Sequence, residues 1–548
     1  MLRDDLTHRL QSAVERLKGS VIADTDYSVE FTEPKNPAHG DFATAFALTN
    51  SKTTGAPPPL VARALAEALQ ADSTFTSASA VSPGFVNVTL SDAYLAEWTV
   101  RSHRRGEALA LSETDRPLKV LVEFVSANPN GPIHVGHGRG AAYGDSLARL
   151  LEATGHKVSR EFYANDGTNS LQMQLFALSV RSRYRELVGL PPDFPEGGYA
   201  GDYIGQIAEE IRAARGDLHG EDGLEFWQPI AQDMMTHWQR RDLEAMHVVF
   251  DTWISEQSLH DSGKVAECME RLKQSGVIYE EDGALWLASS KFGDDKDRIV
   301  VRSNGQPTYI ASDIAYHKDK FDRGWEHLIN VWGADHHGYI ARASAAIQAL
   351  GYPKDALEIL VMQLVRFLQG NEVVPMSKRS GDMVTLRELM EDVGPDVARF
   401  FYLMRSHDTH MDFDLDLARE HSEKNPVYYI QYAHARICSL LEKAKEAGFV
   451  ADETCASDLA DPAERDLIKK VCDLPFEVRR SAQLREVHRM TTYAIELART
   501  YHNFYEKCRV LAPENPERTR ARLLLCELTR SALRATFSIL GISAPEKM

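Results

Sequence analysis

Two histidines three positions apart, His134 and His137, stand inside the run ANPNGPIHVGHGRG (Ala127–Gly140), among the glycines Gly131, Gly136, Gly138 and Gly140. Imidazole N–H groups can hydrogen-bond a phosphate chain and strengthen as charge moves along it. Glycine lets a ligand come close to the backbone. The run follows the apolar stretch KVLVEFV (Lys119–Val125) and opens a helical pattern. A strand feeding a glycine-rich turn and a helix is a phosphate site in many α/β folds, because free N–H groups and the positive dipole end face the anion. Three other readings stand beside this one. A His-x-x-His pair can hold a metal, but no cysteine or third ligand lies nearby. A dinucleotide turn wants G-x-G-x-x-G spacing, which is absent here. The third reading is two surface histidines without a role.

A second cationic element follows far along the chain, in VVPMSKRSGDMVTL (Val373–Leu386). Read alone, its Met-Ser-Lys-Arg-Ser-Gly string is a solvated loop. Paired with the histidine turn, Lys378 and Arg379 form a mobile flap able to close over a polyphosphate and neutralise charge in the transition state. Acidic groups stand near both. Glu123 ends the strand before the histidine turn, and Asp313 lies four residues after Tyr309 in TYIASDIAYH, on the same side if that stretch is helical. Taken alone, Glu123 reads as a strand-end surface acid and Asp313 as a helix-start cap. WGADHH (Trp332–His337) ends an apolar strand, where ligands of open α/β sheets bind; the plainer alternative is a buried histidine pair satisfied by Asp335.

The elements that must position these groups fall into several domains. At 548 residues the chain is long enough for about three or four. A hydrophobic fraction of 43% and a charged fraction of 26% are ordinary for globular protein. No window approaches ~18 uninterrupted apolar residues. The opening MLRDDLTHRLQSAVERLKG alternates charge with apolar positions, unlike a signal or transit peptide, so a cytoplasmic location is expected. None of the six cysteines forms a C-x-x-C pair, which predicts reduced, buried thiols and no zinc knuckle. The net charge of −18 argues against indiscriminate coating of nucleic acid. Residues 425–548, however, carry 19 Lys+Arg against 17 Asp+Glu, leaving −20 for the rest. A comparatively basic C-terminal part permits contact with nucleic acid at chosen places.

Residues 1–112 read as a small α+β unit: a helix from Leu2 to Leu17, another in PPLVARALAEAL, and a strand in GFVNVTL. From about residue 116, β-type runs alternate with helical periodicity, the mark of a parallel α/β sheet. The alternation lapses between about 190 and 290, which reads as an insertion. Beyond about 386 the pattern is helical, with apolar stripes such as Leu467, Val471 and Leu474. Tyr428, Tyr432 and Arg436 share one helical stripe, which can be core or a surface that stacks unpaired bases and meets phosphate.

HVGH and MSKR resemble the HIGH and KMSKS signatures of class I aminoacyl-tRNA synthetases. The longer strings VEFVSANPNGPIHVGHGRGAAYGDSLARLLEATGHKVSREFYAND and HMDFDLDLAREHSEKNPVYYIQYAHARICSLLEKA resemble arginyl-tRNA synthetases in particular, as do EPKNPAHGDFATAFAL and the ending SILGISAPEKM. The likeness spans the chain. It implies a multidomain α/β protein: a Rossmann-like parallel-sheet catalytic domain (113–385, insertion included), an N-terminal α+β domain touching tRNA (1–112), a stem-contact connector (386–424), and an all-α anticodon-binding domain (425–548).

The implied activity is arginine–tRNA ligation, with ATP and Mg²⁺, no zinc, tRNA(Arg) as partner, no membrane, and a monomer as the acting species. By the same resemblance His134, His137 and Lys378 are catalytic. Glu123 and Asp313 pair the guanidinium, Tyr309 packs on it, Ser126 and Asn128 hold the α-amino end, and His336 lies near the amino acid. Gly136, Gly138, Gly333, Asp335, Met362, Gln363, Ser377 and Arg379 contact ATP, while Tyr428, Tyr432 and Arg436 meet the anticodon. Two departures are visible: Pro375 replaces the first lysine of KMSKS, and NDGTNS (Asn165–Ser170) replaces a family segment of the type NDAGNQ.

Overall fold

The computed structural model describes residues 1–34, 36–167, 170–218, 223–370, 372–374 and 384–548. Its centre is a five-stranded sheet whose strands we label β1 (Lys119–Glu123), β2 (Lys157–Ala164), β3 (Thr252–Ser255), β4 (His327–Gly333) and β5 (Leu357–Met362). All four pairings are parallel, and the order across the sheet is β5-β4-β1-β2-β3. The chain runs outward from β1 through β2 to β3, then crosses back to place β4 on the other side of β1. Strand order therefore reverses between β1 and β4, the switch point beside whose carboxyl strand ends open α/β sheets bind ligands. The histidine turn leaves β1, and WGADHH leaves β4.

The sequence pattern after the turn reads as a helix from Arg139 to Thr154; the helix observed is Val135–Ala153, starting four residues earlier because the glycine-rich turn itself winds into it. Its residues are buried on almost every side, as befits a helix enclosed between a sheet and other helices. The C-terminal helices Leu474–Leu484 and Pro516–Leu540 help close over it. There the Tyr143 hydroxyl donates to the Arg485 carbonyl at 2.7 Å, and the fully buried Arg399 donates to Leu540 O at 2.5 Å while pairing with Asp145.

The N-terminal part carries a three-stranded antiparallel sheet (Phe42–Thr44, Phe85–Leu90, Phe75–Val81) backed by helices Leu2–Glu15 and Pro58–Gln70. Residues from Pro426 onward are helical. The lapse between 190 and 290 is not a single insertion. Three helices, Leu171–Leu187, Asp202–Arg215 and Leu224–Ala245, pack on their own apolar core, and β3 then returns to the main sheet. Four half-buried residues at a sheet edge carry too little periodicity to announce a strand. LEILVMQLVRFL likewise splits: Leu357–Met362 joins the main sheet, while Val365–Gln369 pairs with Glu372–Val374 and with Met411–Asp414 in a second one. All six cysteines are buried and free. Among the described residues no helix is long and apolar enough to cross a membrane.

Candidate active site at the strand ends

His134 caps the helix Val135–Ala153: its Nδ1 accepts the Gly136 N–H at 3.0 Å, satisfying one of the donors a helix start leaves open. The His137 ring stands 6.3 Å from it, nearly perpendicular. His137 opens to solvent inside a recess. The surrounding protein mass first, and the neighbouring His134 second, lower its pKa to about 4. A neutral ring at pH 7 offers one N–H without adding positive charge.

The glycines divide by role. Gly136 is exposed at the first turn, and its N–H is already used by His134. Gly138 is buried, and a Cβ there would stand 2.6 Å from the Tyr402 ring. Its bare Cα serves helix packing: Tyr402 comes in that close to donate its hydroxyl to the Val135 carbonyl at 2.7 Å. Gly140 meets open space.

Ser377, Lys378 and Arg379 lie outside the described residues. The segment after them is anchored on the histidine turn itself. Val135 N–H donates to Val384 O at 3.1 Å, Leu386 N–H donates to Ile133 O at 2.8 Å, and His134 and Thr385 form an antiparallel bridge. Thr385 then starts helix Leu386–Val393 with a capping box closed by Glu388. Two sequence segments far apart in the chain thus share one backbone ladder.

Arg139, one turn into the histidine helix and 1% exposed, reaches across to the strand ends. It donates to Gln363 O at 2.8 Å, Ser406 O at 2.7 Å and Thr409 O at 2.9 Å. Met362 is the register partner of Gly333 at the ends of β5 and β4. Gly333, Asp335 and His336 are all exposed, and His336 has the Trp332 and Tyr339 rings each 6.0 Å away. The alternative of a buried histidine pair is not what the structure contains; both His336 and His337 face solvent on a short 3-10 turn, Ala334–Tyr339.

On the acidic side, helix Tyr309–Asp322 begins at Tyr309, so Tyr309 and Asp313 lie one turn apart on one face. Tyr309 is 71% exposed. Asp313 is past the cap position and half-buried. Glu123 departs from the role the resemblance gave it. It is buried, with Oε2 taken by the Lys320 ammonium at 2.5 Å and Oε1 accepting from the Ser126 hydroxyl at 2.9 Å. Burial alone would raise the Glu123 carboxyl; Lys320 overrides it and holds the group below its ordinary value. Ser126 is committed as well, since its Oγ also accepts the Tyr163 N–H at 3.2 Å. That geometry requires Val125 and Ser126 at φ 68° and 46°, a strained bend for a β-branched residue. The Asn128 amide is half-exposed and donates to Gln172 Oε1 at 3.4 Å.

Lys320 continues a polar chain that sequence reading missed. Its ammonium donates to Asn330 Oδ1 at 3.2 Å, the Asn330 amide to His317 Nε2 at 2.9 Å, and His317 Nδ1 to the Asp313 carbonyl at 2.8 Å, with Asp313 Oδ1 at 3.4 Å. Glu123 and Asp313 are therefore the two ends of one hydrogen-bonded relay. Asp313, His317 and Lys320 stand at i, i+4 and i+7, a polar stripe on a helix that faces the sheet, and that spacing was legible.

Glu256 was missed too. It follows β3 and shares a cavity of about 310 Å³ with Gly167, His260, Thr308, Tyr309 and Ser312. Burial first, then the nearby carboxylates Asp166 and Asp313, push its carboxyl above the ordinary value against a hydrogen bond from Ser312. A carboxyl held up by neighbouring carboxylates is relieved by a bound cation. Among the described residues no cluster of three or more His, Cys, Asp or Glu is placed to hold a metal ion.

In the C-terminal domain, Tyr428, Tyr432 and Arg436 are half-exposed on helix Pro426–Glu446. The two tyrosine rings are 6.4 Å apart and within 6° of parallel, and Arg436 lies over Tyr432 and Tyr505 at 5.8 and 4.1 Å. The stripe is a partly open aromatic surface and not core.

Three family models match in succession: the arginyl tRNA synthetase N-terminal domain over residues 3–90, the class I tRNA synthetase (R) catalytic domain over 105–399, and the DALR anticodon binding domain over 430–548. The chain is 44% identical to arginine–tRNA ligase 1 of Halalkalibacterium halodurans, covering 100% of this chain and 98% of the relative. It is 45% identical to the arginine–tRNA ligase of Moorella thermoacetica, covering 98% and 97%. Among solved structures, the Thermus thermophilus arginyl-tRNA synthetase has the same fold, with a TM-score of 0.76, 23% identity and full coverage of both chains.

Proposed function

The chain belongs to the arginyl-tRNA synthetase family and is an arginine–tRNA ligase; we propose that the recess at the strand ends is where it activates arginine with ATP. Asp313 and Glu256 take the guanidinium, with Tyr309 on its flat face, because a planar group that is always charged asks for carboxylates and a surface to lie on. Glu123, its charge matched by Lys320, forms the floor of the pocket, and Asn128 meets the α-ammonium. Gly333, Asp335, His336, Met362 and Gln363 border the adenosine. The observation that carries this reading is the cavity of about 310 Å³ that Glu256 shares with Tyr309 and Ser312, with Asp166 and Asp313 near enough to help hold the Glu256 carboxyl above its ordinary value.

In the first step a carboxylate oxygen of arginine attacks the α-phosphorus and pyrophosphate departs. Such transfers depend on positioning and charge stabilisation, so no side-chain nucleophile is required. His134 and His137 donate to the phosphates from the helix start, and Lys378 closes from the flap. Mg²⁺ enters with ATP as part of that substrate. The arginyl group then passes to a ribose hydroxyl at the tRNA 3′ end. Residues 1–112 and 386–424 contact the tRNA body, and the Tyr428, Tyr432 and Arg436 surface of domain 425–548 stacks its anticodon bases. The ligase acts as a cytoplasmic monomer.

ATP–pyrophosphate exchange, measured with tRNA and Mg²⁺ present, tests the reading. Arginine supports exchange and lysine does not. Equal exchange with lysine, or none with arginine, overturns it.

A further inference from the structure

The three helices between β2 and β3 have no role in the reaction as proposed, yet one of them touches both the loop that leads into the histidine turn and Arg387, next to the residues paired with that turn. Gln239, on helix Leu224–Ala245 and 1% exposed, donates through Nε2 to the carbonyl oxygens of Asn128 at 2.9 Å and Gly131 at 2.8 Å. These carbonyls belong to the loop that leads from β1 into His134. Asn130, between them, is held by the same helical unit: its carbonyl accepts from the Tyr203 hydroxyl at 3.1 Å, and its amide donates to the Tyr199 hydroxyl at 2.9 Å. A loop without its own ladder needs such outside partners for its backbone groups. Gln239 Oε1 has no partner among the described residues, so the amide is oriented by the two carbonyls it serves.

One turn further on, Asp242 accepts from Arg387 Nε at 2.8 Å, and the Arg387 guanidinium also lies 5.6 Å from the centre of the Trp238 ring. Arg387 directly follows Leu386, whose N–H donates to Ile133 O. Gln239 and Asp242 are three residues apart, so one helix face grips the entry to the histidine turn and the exit from the flap.

We propose that the helical insertion is a clamp that fixes these two segments in register, with Gln239 and Asp242 as positioning residues for adenylate formation. The proposal rests on reading His134, His137 and Lys378 as the phosphate-binding groups. Neither clamp residue touches substrate. Each sets where a touching residue stands, and a misplacement of ~1 Å in such a site can cost roughly 10²-fold in rate.

Gln239→Leu, Asp242→Ala and Asp242→Asn test it through ATP–pyrophosphate exchange, transfer of arginine to tRNA from preformed arginyl-adenylate, and thermal unfolding. Gln239→Leu and Asp242→Ala are expected to lower kcat for exchange by roughly 10²-fold, leaving the transfer step within about 3-fold of wild type. Asp242→Asn, which keeps an oxygen for Arg387, recovers most of the exchange rate. Wild-type exchange in both disruptive variants overturns the clamp, and so does an equal loss of exchange, transfer and melting temperature, which marks structural support alone. Should Gln239→Leu fail to fold, the two Asp242 variants decide by the same criteria. Lys378→Ala separates the layers: unchanged exchange in that variant removes the underlying reading, whereas impaired exchange there with wild-type kinetics in the clamp variants removes only the clamp.

Discussion

The amide of Val135 donates to the carbonyl of Val384 across 3.1 Å, joining the histidine turn to the segment that leaves the flap. This bond and its neighbour, Leu386 N–H to Ile133 O at 2.8 Å, make the start of the histidine helix and the root of the flap one piece of backbone. Under the proposed reading, the root of the segment that carries Lys378 is thereby fixed to the turn that carries the two imidazoles.

Lys378→Ala therefore removes charge from the flap without touching its root. We expect adenylate formation to slow by roughly 10²–10³-fold with the melting temperature unchanged. Single-turnover kinetics with saturating arginine, ATP and tRNA check this, and an unaltered rate contradicts the assignment.

Asp313→Ala is expected to raise the KM for arginine by roughly 10- to 100-fold, the worth of a hydrogen bond to a charged group, with a smaller effect on ATP. Glu256→Gln should act in the same direction. Titration of arginine at fixed ATP measures both, and an unchanged arginine KM in the two variants speaks against the pocket.

The glycines of the histidine helix make a pair of opposite expectations. Gly138→Ala drives a methyl into the Tyr402 ring and should cost about 1–3 kcal/mol of stability. Gly140→Ala meets open space and should gain up to about 1 kcal/mol through lower backbone entropy in the unfolded chain. Denaturant melts of the two variants decide whether packing sets the need for glycine at each position.

Glu358, on β5, accepts from His327 Nε2 at 3.2 Å and from Arg485 Nη2 at 2.9 Å, and so ties the central sheet to the C-terminal helices. Burial alone would raise its carboxyl, but His327 and then Arg485 overcome this and push it down to about 2 from an ordinary 4.5. In the window between those values the unfolded chain binds the proton before the native state does, so stability rises with pH. The stabilisation is whole above the unfolded value and is lost as pH falls toward about 2. The melting-temperature difference between wild type and Glu358→Gln should be largest near neutrality and shrink through this range. A difference independent of pH contradicts the assignment.

Much of this was legible in the sequence where chemistry and periodicity coincide. The β1 strand, the histidine turn, the helix after it and the Tyr309–Asp313 spacing follow from local patterns, although that helix begins at Val135, four residues before its apolar pattern does. What escaped depended on contacts between elements. Glu123 reads as an available acid until Lys320, on a helix nearly 200 residues away, is seen to occupy it. Gly138 reads as a ligand-facing glycine until Tyr402 arrives from another helix. The β3 strand escaped because four half-buried edge residues carry no decisive alternation, and with it went Glu256, whose importance comes only from the carboxylates that fold against it.

A crystal structure with a non-hydrolysable arginyl-adenylate analogue measures the central claim most directly. The account predicts the guanidinium within hydrogen-bonding distance of Asp313 and Glu256, the phosphate at the His134–His137 turn beneath Lys378, and Glu123 still joined to Lys320. A guanidinium seated away from both carboxylates, or a phosphate remote from the two histidines, would contradict it.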